Sequence, residues 1–416
     1  MNELPRTRVA LQRGIDQGLH PAAQLYVSRH GEPVAELALG EARPGVEMRA
    51  DTLVLWLSSS KPVAAVAIGQ LWERGLLGLD DRIAQHVPEF AQNGKDAITI
   101  RHALTHTGGF RLPQVGWPVV DWDETIARVC AARLEPRWVP GEKAGYHMAS
   151  SWFALGEVVR RLDGRAFADY VREDIFLPLG MDDCWIGMPA ERYRVYMEAG
   201  LLAQPWNTEV PKPRPHVWDE EAYVTRCSPG GNGWGPMRQL GRFYEMLLAG
   251  GTLDGRRVLQ PQTVEALLAR HRVGMVDHTF RQVMDWSLGL IPNSRPGLIE
   301  TLGELRRLER GAAGVADAVD DPATTGAATV AAPGTASADD AAAAAEVPLP
   351  YHYGPHASRH TIGHSGYRSS TAFVDRKHAL VVALAVTGTP SDVAHAARFG
   401  ELLTAIYEDV GLAAAA

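Results

Sequence analysis

The stretch Ser58-Ser-Ser-Lys61-Pro-Val-Ala-Ala-Val-Ala-Ile-Gly-Gln-Leu-Trp-Glu-Arg-Gly75 follows the apolar run Leu53-Val-Leu-Trp-Leu57. From Val63 to Gly75 the apolar residues Val63, Val66, Ile68, Leu71 and Trp72 recur at helical spacing, and Gly75 marks a helix end. The serines therefore open a helix. Ser58 and Lys61 stand on its first turn, three residues apart, so their side chains share one face. The hydroxyl is then within hydrogen-bond reach of the amine. Partial burial lowers an amine's pKa and lets it take the hydroxyl proton. The unpaired N–H groups and the positive dipole end of a helix start favour a developing oxyanion. Alone, a Ser-x-x-Lys is a weak signal, and its bland reading is a serine cap followed by a surface lysine. Context decides.

Outward from this stretch, Ala23-Gln-Leu-Tyr-Val-Ser-Arg29 and Val34-Ala-Glu-Leu-Ala-Leu39 flank a His30-Gly31 turn and predict a hairpin over 22–42. Helices are predicted over 101–107, over 151–162 (stopped by Asp163-Gly164) and over 239–248, stopped by Gly250-Gly251. Strand character returns at 286–291, 369–374 and 379–386, with Asp375-Arg376-Lys377 as a turn, and residues 392–410 read as a closing helix. Strands at both ends around a helical middle predict a discontinuous α/β domain (1–75 and 275–416) with a mostly helical domain (76–274) inserted. Residues 311–346 are nearly all Ala, Gly, Thr, Asp, Val and Pro and read as a flexible Ala-rich surface insertion.

A net charge of −8 gives no footprint for nucleic acid, which needs clustered positive charge. Ala379–Val386, the most apolar run, is too short to span a bilayer, and the N-terminus shows no secretion signal. Cys130, Cys184 and Cys227 are odd in number and widely spaced, which argues against a disulfide framework or zinc site and fits a reducing cytoplasm. His352, His356, His360 and His364 recur every four residues, but Gly354-Pro355 and Gly363 break any helix that would align them, so no metal and no cofactor is expected. Gly363-His-Ser-Gly-Tyr367 approaches a Gly-x-Ser-x-Gly elbow, yet lacks the final glycine and precedes a strand.

The run from Ser58, with Leu71-Trp-Glu-Arg-Gly75 and Leu79-Asp-Asp-Arg-Ile83, resembles the active-site helix of class C beta-lactamases and their esterase relatives, the family VIII carboxylesterases. Ile98-Thr-Ile-Arg-His-Ala-Leu-Thr-His-Thr-Gly-Gly109 looks like the loop that follows it. Pro140-Gly-Glu-Lys-Ala-Gly-Tyr146 resembles the segment with the catalytic tyrosine, and Phe176–Met181 and Pro229–Gly233 match in order. Gly363–Tyr367 occupies the place of the third motif, commonly Lys-Thr-Gly. The resemblance implies a beta-lactamase/transpeptidase-like α/β fold, an antiparallel sheet flanked by helices plus a mostly helical domain. It implies Ser58 as nucleophile, Lys61 as proton acceptor or electrostatic partner, and Tyr146 as second acid–base group with its phenol pKa lowered by Lys61. The backbone N–H groups of Ser58 and Tyr367 would form the oxyanion hole. His364, Ser365, Gly366, Met148 and Trp234 would contact substrate.

Two departures from the family bear on substrate. Its Tyr-x-Asn reads Tyr146-His147-Met148 here, and the lysine of the third motif is His364, a weaker cation near neutral pH. Both argue against antibiotic hydrolysis and fit an esterase, amidase or transacylase better, with small carboxylic esters as the expected substrates. A D-amino-acid peptidase or amidase, a weak beta-lactamase, an acyltransferase and a non-catalytic binding relative are the rivals. His106 is expected to hold the 105–109 turn, and the oligomeric state is not legible.

Overall fold

The computed structural model describes residues 3–294 and 353–413; the Ala-rich stretch 311–346 and His352 lie outside the described residues. In chain order the elements that build the site are helix α1 (Pro5–Asp16), strands β1 (Ala22–Arg29), β2 (Glu32–Arg43), β3 (Val46–Glu47) and β4 (Val54–Leu57), and helices α2 (Lys61–Glu73) and α3 (Ser150–Asp163). There follow β5 (Trp185–Ile186), β6 (Gly233–Gly235), α4 (Met237–Leu248), β7 (Ile291–Pro292), β8 (Thr361–Gly366), β9 (Ser370–Asp375), β10 (Leu380–Val386) and α5 (Asp392–Asp409).

The main sheet runs β7-β8-β9-β10-β1-β2-β3, and every neighbouring pair is antiparallel. The β1–β2 hairpin turns on His30 and Gly31, at φ 55° and 81°. Two successive left-handed residues match the twist of the strands they join, and glycine takes that conformation without a side-chain clash. Alternation along the strands sorts the side chains into two cores. Tyr26, Ala372, Val374, Val381 and Ala383 face a large core shared with α2, α3 and α4. Leu25, Val27, Phe373, Val382 and Leu384 face a second core with Leu11 of α1 and Phe399, Leu402 and Ile406 of α5. β10 lies between β9 and β1 with helices against both faces, which is why its sequence is apolar without alternation.

Helix α2 is buried along nearly its whole length, from Lys61 to Leu71. Pro62 fits its first turn, where a missing N–H costs nothing, and Gly75 (φ 72°) lies just past its end. The helix predicted over 101–107 runs only from Ile100 to Leu104, because His106 takes φ 58° and turns the chain out of helical geometry. The strand expected over 286–291 is reduced to Ile291–Pro292: Gly289 (φ 80°) turns the chain, and Trp286 instead bridges to Arg272. The middle of the chain also supplies strands. β5 and β6 join β4 in a small antiparallel sheet, which fixes the end of β4 from which Ser58 emerges.

Candidate active site

Strand β4 ends at Leu57 with φ 49° and ψ −129°, a strained conformation for a side-chain-bearing residue. The chain reverses there into a short 3-10 turn, Ser58–Ser60, that continues into α2. Ser58 thus sits half-buried at a strand-to-helix elbow. Its two neighbours lock the turn. Ser60 Oγ donates to Leu57 O at 2.6 Å and accepts the Gly233 N–H of β6 at 2.8 Å. Ser59 Oγ donates to His364 O of β8 at 3.1 Å and lies 3.0 Å from Ser370 Oγ, which donates to Trp56 O at 2.7 Å. Sequence reading singled out Ser58 and missed this role of Ser59, Ser60 and Ser370; the Ser-Ser-Ser run was the visible signal.

Two polar groups meet on the Ser58 hydroxyl. Lys61 Nζ donates to Ser58 Oγ at 2.9 Å and to Gly230 O at 2.7 Å. Tyr146 Oη donates to Ser58 Oγ at 2.8 Å from the opposite segment of chain. The Lys61 ammonium position is wholly buried, 5.0 Å from the centre of the Tyr146 ring and 5.6 Å from that of Trp152. Among the described residues no salt bridge reaches it. Burial without a counter-ion pulls its pKa well below the usual lysine value, so the amine is able to act as a base. Gly230 admits this arrangement because a Cβ there would fall 2.6 Å from the Trp152 ring.

Tyr146 is walled by aromatic rings: His106 at 4.7 Å, Phe280 at 5.0 Å, Trp286 at 5.8 Å and His364 at 6.3 Å between centroids. His106 is buried. Its carbonyl accepts the Gly145 N–H and its Nδ1 the His147 N–H, both at 2.9 Å, so it braces the segment around Tyr146 as well as its own turn. Burial holds its pKa well below the ordinary imidazole value.

The third motif runs along β8. His364 is fully buried, with Nδ1 donating to Ser365 O at 2.9 Å. Burial first, and the neighbouring Lys61 second, hold its pKa well below 6.5. It is therefore neutral near pH 7, where the sequence suggested a weak cation. Ser365 is buried too, its Oγ donating to Thr371 Oγ1 at 3.0 Å. Gly366 brings β8 against the elbow: a Cβ there would lie 2.3 Å from Trp56 O and 3.0 Å from Leu57 Cβ. Tyr367, the next residue, follows directly, its side chain 48% exposed. Met148 is 65% exposed. Trp234 is not. It is completely buried among Leu53, Leu55, Met188 and Leu202, with Nε1 donating to Asn232 Oδ1 at 3.2 Å, so the expected substrate contact is corrected to a core residue.

A serine pinned at a strand-to-helix elbow between a buried amine and a phenol is an arrangement for acyl transfer. Residues 10–311 match the profile of the Beta-lactamase family. The chain belongs to the Beta-lactamase family. Esterase EstB of Burkholderia gladioli is 34% identical over 280 residues, covering 61% of this chain and 70% of EstB. Among solved Beta-lactamase-like folds, a penicillin-binding protein homolog from Caulobacter crescentus superposes with a TM-score of 0.71 at 26% identity, covering 98% of this chain and 97% of that one. A family VIII carboxylesterase gives 0.70 at 24% identity, with 97% of both chains covered, which supports the shared Beta-lactamase fold. Among the described residues no helix is long and apolar enough to cross a membrane, and no group of three or more His, Cys, Asp or Glu is placed to hold a metal. Of the four-residue histidine series, His364 lies on a strand, so the series does not form a helical stripe.

Proposed function

We propose that this protein is a serine hydrolase that cleaves small carboxylic esters by two-step acyl transfer through Ser58. The observation that carries the reading is the convergence of Lys61 Nζ and Tyr146 Oη on Ser58 Oγ, at 2.9 and 2.8 Å. In the first step the Ser58 oxygen attacks the ester carbonyl and its proton passes to the neutral Lys61 amine. The backbone N–H groups of Ser58 and Tyr367 receive the developing oxyanion. As the alkoxide leaves, the Tyr146 hydroxyl supplies its proton and is recharged from Lys61. Water then attacks the acyl-enzyme, giving its proton back through Tyr146, and Ser58 recovers its own.

Ester selectivity follows from charge. His364 is held neutral. The nearby guanidinium groups are committed elsewhere, Arg111 to Glu135, Arg272 to Asp277 and Arg368 to Glu209 and Asp392. A substrate carboxylate, as on a beta-lactam or a peptide C-terminus, meets no uncommitted cation from these groups. EstB is named an esterase, in keeping with this assignment. The substrate is thus an uncharged small-molecule ester, and nucleic acid is not a partner of a chain with net charge −8. Three unpaired thiols among the described residues fit a reducing, cytoplasmic setting.

The test is hydrolysis of p-nitrophenyl acetate, butyrate and octanoate beside nitrocefin, for wild type and Ser58→Ala. Ester turnover that disappears in the variant, with little nitrocefin cleavage, is expected. Turnover that survives the substitution removes Ser58 as nucleophile.

A further inference from the structure

Tyr146 stands on a segment without regular secondary structure, so neither helix nor sheet geometry places its phenol. Its main chain is held instead by a turn from far along the chain. The Tyr146 N–H donates to Asp277 Oδ1 at 3.1 Å, and the Tyr146 carbonyl accepts from Thr279 Oγ1 at 3.1 Å. His278 N–H donates to Ala144 O at 2.8 Å. Asp277 Oδ1 also accepts the N–H groups of Thr279 and Phe280, at 2.9 and 3.1 Å, which closes the turn on its own side chain. Phe280 then packs against the Tyr146 ring.

Asp277 is in turn fixed by Arg272, whose Nη2 donates to Oδ2 at 3.0 Å with both side chains buried. Arg272 Nε donates to Met284 O at 3.0 Å and Nη1 to Thr105 O at 3.2 Å, next to His106. Its guanidinium carbon lies 5.3 Å from the ring of Trp286, which flanks Tyr146. A buried ion pair is a poor source of net stability, because desolvating two charges offsets most of their attraction. What such a pair supplies well is one fixed geometry when every hydrogen-bonding site is satisfied.

We infer that Asp277, anchored by Arg272 and assisted by Thr279, is a positioning residue that holds the Tyr146 phenol on Ser58. The inference rests on the ester-hydrolase reading above, in which Tyr146 supplies the leaving group's proton. Asp277 touches neither substrate nor the reacting atoms and acts through the Tyr146 backbone. A displacement of about 1 Å at a catalytic group lowers a rate by up to roughly a hundredfold. That loss falls on the proton transfers through Tyr146, at alcohol release and at water attack, and leaves the attacking serine and its lysine in place.

The experiment compares p-nitrophenyl butyrate with ethyl butyrate. The aryl ester releases a stable phenolate that needs no proton, whereas ethoxide must receive one as it leaves. Thr279→Val, which keeps the ion pair, is expected to lower kcat/KM, which reports the steps through alcohol release and not the deacylation common to both butyrates, about tenfold on ethyl butyrate, with a smaller loss on the aryl ester. Asp277→Asn is expected to lose more on the alkyl ester. The double variant R272Q/D277N, which sets an amide pair in place of the ion pair, is expected to recover part of that loss. Equal losses of kcat/KM on the two esters, tracking thermal stability alone, would overturn the positioning role. Should Asp277→Asn fail to fold, Thr279→Val decides the matter alone. Tyr146→Phe serves as reference: if it shows no leaving-group dependence, the assignment of Tyr146 falls and the positioning role with it, whereas Ser58→Ala abolishing both activities still upholds the hydrolase.

Discussion

Substituting Gly366 by alanine should disable turnover while leaving the fold standing. An alanine Cβ at this position would lie 2.3 Å from Trp56 O, 2.4 Å from Ser370 Oγ and 3.0 Å from Leu57 Cβ. Ser370 can rotate, but Trp56 O is backbone and already accepts the Ser370 hydroxyl. A carbon normally approaches a carbonyl oxygen to about 3.3 Å, so β8 must retreat from β4 by roughly 1 Å. Tyr367 follows Gly366 directly, so its N–H moves with the strand, away from the oxygen attached to the carbon that Ser58 attacks. Losing one oxyanion donor costs about 10²–10³ in kcat. The crowding itself costs about 1–3 kcal/mol of stability. The assay is steady-state hydrolysis of p-nitrophenyl butyrate with urea unfolding in parallel, and Gly400→Ala as control. Gly400 lies in α5 with nothing within 4 Å of its would-be Cβ. That alanine should therefore leave kcat unchanged and add up to about 1 kcal/mol of helix stability. A Gly366→Ala protein that turns over at the wild-type rate would refute the placement of Tyr367 N–H in the oxyanion hole.

The remaining predictions concern buried cations. Because the folded pKa of Lys61 lies well below the 10.5 of an exposed lysine, the unfolded chain binds the extra proton between those two values, and stability rises with pH across that window. Lys61→Met should flatten this dependence in urea titrations at several pH values, and wild-type kcat/KM should fall as pH drops through the folded Lys61 pKa; parallel stability curves for the two proteins would mean that Lys61 is not depressed. Arg398 donates to Leu19 O at 2.8 Å, to Gly388 O and Arg368 O at 2.7 Å and to His20 Nδ1 at 3.0 Å, with its pKa pulled down to about 9 by burial. Arg398→Met strands the Gly388 and Arg368 carbonyls, while Leu19 O keeps the Thr208 hydroxyl at 3.0 Å, and should cost about 2 kcal/mol, read as a lower urea midpoint at unchanged slope, together with reduced kcat because Arg368 O belongs to the turn that carries Tyr367. An unchanged midpoint would show that water replaces the guanidinium without loss.

Much of this architecture is legible in the chain because it is local. The β1–β2 hairpin, α2, the ends of α3 and α4, and the closing pair β9–β10 follow from side-chain period and from glycines at sites of positive φ, as at Gly31 and Gly75. The predictions failed where a long-range partner overrode local preference. Trp286 has strand chemistry, but it bridges to Arg272 and packs on His106. Trp234 resembles a pocket aromatic, but β4 and β5 enclose it on both sides.

The sequence by itself determined that Ser58 and Lys61 stand side by side. A serine and a lysine three residues apart at a helix start share a face whatever surrounds them, because helical periodicity is a property of the backbone. Only the tertiary structure decided the rest of the site. Tyr146 lies 88 residues from Ser58, His364 stands 305 residues beyond Ser59, whose hydroxyl its carbonyl accepts, and Asp277 lies 131 residues beyond Tyr146. Such contacts leave no mark in local composition. The charge states are likewise tertiary: Lys61 and His364 carry ordinary sequence pKa values and lose them to burial, which depends on every chain segment packed over them.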